Sequence, residues 1–228
     1  QRPFRLRDHL HRLEHTLQAI GTDPGQSLDQ LEQLTLETLA RNLPSEAADV
    51  DWNIIHNVSR GPAAGFYDTF PADERGPTVV ISCYPLLKKL AALAPAYDAG
   101  IDLIVPAQRA LPTDLVHAYI KTRSRLHYQL ANIEAEQRCP GSTAVLTDPD
   151  GYLTEGTSGN VFLVKDGELA TPEPRNLLPG VTRALILDLA ARLGIPHREA
   201  NLTPLDALAA DEMFVTSTTI GLLHARTF

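Results

Sequence analysis

Leu6, Leu10, Leu13, Leu17 and Ile20 recur at steps of four, three, four and three residues. This spacing lays one apolar stripe along an α-helix, and Gly21 supplies its stop. A second helix is expected from Ser27 to Leu43, opened by a capping-type serine and the acidic Asp29. Val50 to Ser59 reads as a strand ending at Arg60-Gly61, and residues 62–77, with Gly, Pro and Asp, read as a loop. Thr78 to Tyr84 is β-branched and apolar, the pattern of a buried strand. Pro85 to Ala99 holds two prolines and many small residues and reads as the linker between domains. Ile101 to Val105 is a further strand, followed by a helix from about Arg123 to Glu136.

Two hairpins come next. Ser142–Thr147 and Tyr152–Thr154 flank the turn Asp148-Pro149-Asp150-Gly151, and Val161–Val164 and Glu168–Ala170 flank Lys165-Asp166-Gly167. Val181 to Leu193 is a helix closed by Gly194, and Met213 to Thr216 is a strand. Helices mixed with strands and hairpins predict an α+β fold rather than a doubly wound α/β one. The expected division is a small N-terminal domain over 1–90, a linker over 91–99 and a larger domain over 100–228. The chain opens at Gln1 almost directly into helix and closes at Phe228, so both ends read as cut.

Composition narrows the classes. The 228 residues are 43% hydrophobic and 21% charged, which is ordinary for a globular chain, and the net charge is −8. An acidic balance argues against broad nucleic-acid binding. No apolar run is long enough to span a bilayer, and residues 1–20 are too charged for a signal peptide. Cys83 and Cys139 are isolated, as expected of reduced, buried thiols in a cytoplasmic protein.

Candidate chemistry gathers in the second half. Lys121 follows the mostly apolar His117-Ala118-Tyr119-Ile120 and offers an amine able to condense with an aldehyde. Glu155 lies 34 positions on, at a strand end before Gly156-Thr157-Ser158-Gly159, and offers a carboxylate able to hold a protonated ring nitrogen. Gly180-Val181-Thr182 opens a helix, where free amides and the dipole favour a phosphate. Ser217-Thr218-Thr219 adds hydroxyls after a strand. Arg12 lies beside the first helix's stripe and offers a cation. Taken singly, each feature has a plain structural reading: a surface lysine, a turn glutamate, a helix start, a solvated strand end. An amine, a ring acid and two sets of phosphate donors are together what pyridoxal 5′-phosphate (PLP) requires.

The ordered set, from Phe4-Arg5-Leu6 through Ser59-Arg60-Gly61 to Thr216-Ser217-Thr218-Thr219, resembles the class IV (fold-type IV) PLP-dependent aminotransferases. That group includes branched-chain and D-amino-acid aminotransferases and aminodeoxychorismate lyase. The resemblance implies two domains, a small α/β one and a larger β-barrel-like one with helices, and a homodimer. It implies transfer of an amino group between a small amino acid, branched-chain-like, and a 2-oxo acid such as 2-oxoglutarate. D-amino-acid transamination and pyruvate-releasing lyase chemistry are the alternatives. By position, Lys121 is similar to the lysine that holds PLP and shuttles the proton, and Glu155 to the ring-nitrogen partner. Arg12, Val181, Thr182 and Thr218 are similar to the phosphate binders, with Ser217 beside them, and Ser158 and Asn160 flank the ring. The basic run Thr122-Arg123-Ser124-Arg125-Leu126-His127-Tyr128 departs from many relatives and bears on the substrate. A remote rival is His11-Arg12-Leu13-Glu14-His15, which matches the H-x-x-E-H pattern of a zinc hydrolase but has no evident third ligand.

Overall fold

The structure is a computed structural model, and it describes residues 2–43, 50–62, 64–71 and 74–228. The described residues form two compact units, divided at Ala91/Ala92.

In the first unit, α1 (Leu6–Ala19) buries Leu10 and Leu17 from the expected stripe, while Ile20 caps the helix and is exposed. In α2 (Leu28–Asn42) the Ser27 hydroxyl accepts from the Gln30 amide, and the Gln30 side chain accepts from the Ser27 amide. This reciprocal box fixes the helix start at Ser27. Strands β1 (Trp52–Ser59) and β2 (Thr78–Pro85) pair antiparallel from Trp52↔Pro85 to Ser59↔Thr78. The stretch expected as a loop contains a 3₁₀ segment over Ala64–Thr69. Residues 63, 72 and 73 of that stretch lie outside the described residues.

The expected linker is helical. Helix α3 (Leu87–Ala99) runs through it with Pro95 inside. Pro95 donates no backbone hydrogen bond there, so α3 continues past it with one helical bond missing. Cys83 and Cys139 are free thiols, each half-buried rather than buried.

The second unit is a closed sheet with helices outside it. Its strands are β3 (Ile101–Ile104), β4 (Thr143–Thr147), β5 (Leu153–Gly156), β6 (Gly159–Lys165), β7 (Glu168–Pro172), β8 (His197–Ala200), β9 (Glu212–Ser217) and β10 (Gly221–Thr227). Their order is β5-β4-β3-β10-β9-β6-β7-β8, and β5 also pairs with β6. Six strands therefore close into a ring, and β7 and β8 extend from β6. Closure leaves those six strands no free edge. Three pairs are parallel (β3–β4, β3–β10 and β7–β8) and the rest antiparallel. Helices α4 (Leu126–Arg138), α5 (Val181–Leu193) and α6 (Pro204–Leu208) complete the unit.

Side-chain alternation sorts the strands' two faces. Leu103, Val145, Leu153, Val161, Leu163, Met213, Val215 and Leu223 belong to one core cluster. On the opposite face Ala144 and Leu146 pack on Ala131 and Ala135 of α4, and Phe162 packs on Ala190 of α5. Among the described residues no helix is long and apolar enough to cross a membrane.

Candidate active site

Glu155 faces outward because of a slip in register. Strict alternation would put it on the same face as Leu153, in the core. The β4–β5 pairing shifts between Val145↔Gly156 and Thr147↔Leu153, so β5 carries one extra residue there. Such a bulge re-aims a side chain. Beyond it, Glu155 pairs with Asn160, and Asn160 with Thr216. Glu155, Asn160 and Thr216 thus stand side by side on three adjacent strands, on the face that α4 and α5 cover.

Both carboxylate oxygens of Glu155 are engaged. Tyr128 Oη of α4 donates to Oε1 at 2.6 Å, and Asn160 Nδ2 donates to Oε2 at 3.2 Å. Only 8% of Glu155 is exposed. Burial pushes its acid up to about 7 from an ordinary 4.5; the Tyr128 and Leu178 hydrogen bonds and the charges of Lys121 and Arg125 pull the other way. Burial, with the Glu155 charge next, raises the Tyr128 phenol far above its usual value, so it remains a donor. The Arg125 guanidinium lies 4.5 Å over the Tyr128 ring and donates to the Thr157 carbonyl. Asn132, one turn after Tyr128 on the same face of α4, accepts from the Thr157 hydroxyl at 2.8 Å.

The anion side of the site adjoins Asn160. Its Nδ2 also donates to the Leu178 carbonyl at 2.9 Å, just before α5. The residue that caps α5 is Gly180, which brings no side-chain hydrogen bond to the helix start. The first amides of α5, at Val181 and Thr182, are therefore open to a ligand. A Cβ on Gly180 would come within 2.0 Å of Asn160 Oδ1, so only glycine admits this approach. Thr216 Oγ1 is buried with no hydrogen-bond partner, a spare donor on the same face. Ser217 ends β9, and Thr218 is exposed in the turn that follows.

The expected residues are thus distributed as follows. Glu155 and Asn160 are in contact, Asn160 reaches Leu178 and Gly180 just ahead of Val181 and Thr182, and the β9 end with Ser217 and Thr218 continues from Thr216. Lys121 is exposed in the segment before α4, near enough for its charge to favour ionised Glu155. Ser158 is exposed in the β5–β6 turn. Arg12 belongs to the first unit, on α1, with Nη2 3.4 Å from His9 Nδ1. Sequence reasoning had Arg125 and Tyr128 only within a basic run bearing on the substrate and Thr216 only as the strand residue before Ser217, and it missed Asn132. The i, i+4 pair Tyr128/Asn132 was the available signal, two polar side chains on one face of a helix. Among the described residues no three His, Cys, Asp or Glu groups are placed to hold a metal. His11 and Glu14 make only a 3.7 Å surface contact.

The donor set fits PLP. It combines an amine, a buried carboxylate held on both oxygens, an uncapped helix start cradled by a glycine, and an orphaned hydroxyl on the same face.

Residues 1–228 match the amino-transferase class IV family, and the chain belongs to it. The branched-chain-amino-acid aminotransferase of Escherichia coli strain K12 is 32% identical over 227 residues, 98% of this chain and 70% of that one. The branched-chain aminotransferase of Thermoproteus uzoniensis, solved with norvaline, is 28% identical with a TM-score of 0.82, over 97% of this chain and 71% of that one. The PLP form of the Thermobaculum terrenum branched-chain aminotransferase is 25% identical with a TM-score of 0.83, over 97% and 69%.

Proposed function

We propose that this chain is a PLP-dependent transaminase that moves an amino group between a branched-chain-type amino acid and a 2-oxo acid such as 2-oxoglutarate. The observation that carries this reading is the outward-turned, buried Glu155. It lies within reach of the Lys121 charge and is linked through Asn160 to an uncapped helix start. A buried carboxylate at a strand end has no structural need to be charged. Opposite a protonated ring nitrogen it has a chemical one.

Bound PLP supplies a ring that accepts the electron pair left when the substrate Cα–H bond breaks. The chain's own groups do the rest. Lys121 Nζ would hold the cofactor and carry the α-proton. Glu155 would keep the ring nitrogen protonated. The Val181 and Thr182 amides, with the Ser217 and Thr218 hydroxyls, would hold the phosphate. The two compact units would be the small and large domains of the class. A second copy of the chain is the proposed partner. Leu126, Leu130 and Ile133 on α4 support this, being 71%, 46% and 45% exposed at helical spacing.

The deciding experiment sets a panel of L- and D-amino acids against 2-oxoglutarate and pyruvate. Turnover with branched-chain L-amino acids is expected. Turnover confined to D-amino acids, or pyruvate release without an amino acceptor, would replace this reading with one of its alternatives. Lys121→Ala is expected to abolish both turnover and the yellow colour of lysine-held cofactor. A variant that keeps both would remove the lysine from its role.

A further inference from the structure

We infer that Tyr128 and Asn160 are positioning residues that clamp the Glu155 carboxylate in its ionised form, and that Asn160 locks it to the phosphate-side helix start. This rests on the function proposed above and adds how this chain keeps its ring acid charged.

Geometry carries the inference. The β5 bulge aims Glu155 outward, and a carboxylate so placed has four acceptor sites to fill in a dry environment. Tyr128 Oη fills one side at 2.6 Å and Asn160 Nδ2 the other at 3.2 Å. The two hydrogens of the Asn160 amide are both used, one on Glu155 and one on the Leu178 carbonyl at 2.9 Å. Flipping that amide would set its oxygen against two other oxygens, so the network allows one orientation. Gly180 then packs against Oδ1 with no room for a Cβ. One amide therefore fixes the ring acid and the start of α5 at the same time. The Tyr128 ring is itself held, under the Arg125 guanidinium that also grips the Thr157 carbonyl.

Charge explains why a clamp is needed. Burial alone favours the neutral acid, and a neutral acid holds a protonated pyridine poorly. The Tyr128 hydrogen bond opposes burial at Glu155. Tyr128→Phe removes a single oxygen and leaves the ring and its Arg125 contact in place. Asn160→Ala removes the other donor and the tie to Leu178.

The test uses PLP labelled with ¹⁵N at the ring nitrogen. The ring-nitrogen shift is followed across pH in the loaded wild type, Tyr128→Phe and Asn160→Ala, alongside thermal melting of each. The wild type is expected to keep the ring nitrogen protonated through neutral pH. Each variant should lose that proton about one pH unit lower, a roughly tenfold weaker hold. Asn160→Ala should also release cofactor faster, because the phosphate side is no longer tied to the acid. Variants that melt and load like the wild type yet give the same nitrogen titration would overturn the clamp. Should Asn160→Ala fail to fold, Tyr128→Phe alone decides. A wild-type chain that takes up no PLP would instead overturn the function proposed above.

Discussion

Glu155 sets a testable pH signature for the chain without cofactor. Its folded value, about 7, lies above the ordinary 4.5. Below about 4.5 the acid is protonated in both the folded and unfolded states, and it costs nothing. As pH rises from there toward 7, the unfolded chain gives up the proton while the folded chain keeps it. Folding stability therefore falls across this window. Above 7 the whole cost of burying the charge is present, on the order of 3 kcal/mol. Urea unfolding of cofactor-free protein at pH 5 and pH 8 measures it. Glu155→Gln should flatten that difference, since an amide has no proton to lose in this range. If the variant keeps the wild-type slope, some other group carries it. In the loaded protein the same substitution should depress turnover far more than cofactor uptake, and unchanged turnover would count against its ring role. At this scale the sequence made Glu155 visible only as a turn glutamate before a glycine-rich loop. The resemblance raised it to a candidate. Its outward direction comes from the bulge, which Leu153-Thr154-Glu155-Gly156 does not announce, because a bulge is a property of two strands and not of one.

At the scale of elements, helix signals and the two local hairpins, β4–β5 and β6–β7, were legible, and long-range pairings were not. α1 and α2 follow from leucine spacing and the Ser27 box, and α5 from its left-handed stop at Gly194, whose neighbour Ile195 donates back to Ala190. α3 was hidden by Pro95. β8 is polar and exposed over His197-Arg198-Glu199 and is a strand only because β7 pairs with it. α6 is five residues long, too short to show a period. β10 alternates weakly, and its pairings with β9 and β3 define it. The β6–β9 seam, where the site is built, offers a sharp test at Gly159. A Cβ there would meet the Thr216 carbonyl oxygen at 2.3 Å, a backbone atom that cannot swing away. Gly159→Ala is expected to cost about 1–3 kcal/mol. It should also weaken cofactor uptake, because Asn160 and Thr216 share that seam. A urea midpoint equal to that of the wild type would mean the strands part more easily than this packing implies.

For the whole molecule, the feature that organises the site is closure of the second unit's sheet. β6 is the hinge of the topology: it pairs with β9 along its length, with β5 at its start and with β7 at its end. The β6–β7 hairpin was legible in the chain and the resemblance implied a β-barrel-like domain, but the β6–β9 pairing joins strands far apart in sequence and was not legible. Under α5 the outer layer is built around Phe162. It is fully buried, stacks on Phe214 at 5.0 Å with rings 7° apart, and packs with Leu169 and with Ala190 of α5. α5 carries the proposed phosphate cradle at its start, so the seating of this helix and the shape of the site are linked. Phe162→Ala should cost about 3–5 kcal/mol through the cavity it leaves. Phe162→Leu fills most of that volume and should cost much less. If the helix and the cradle move together, PLP uptake should fall in the same order, Ala far below Leu. Lys121→Ala should behave oppositely, losing the cofactor's covalent hold while melting near the wild-type temperature, because Lys121 is exposed and packs no core. Melting and cofactor titration on the same three proteins separate the two cases. A Phe162→Ala protein that melts early yet binds PLP as tightly as the wild type would show that the cradle is held by the Asn160–Leu178 tie, not by the seating of α5.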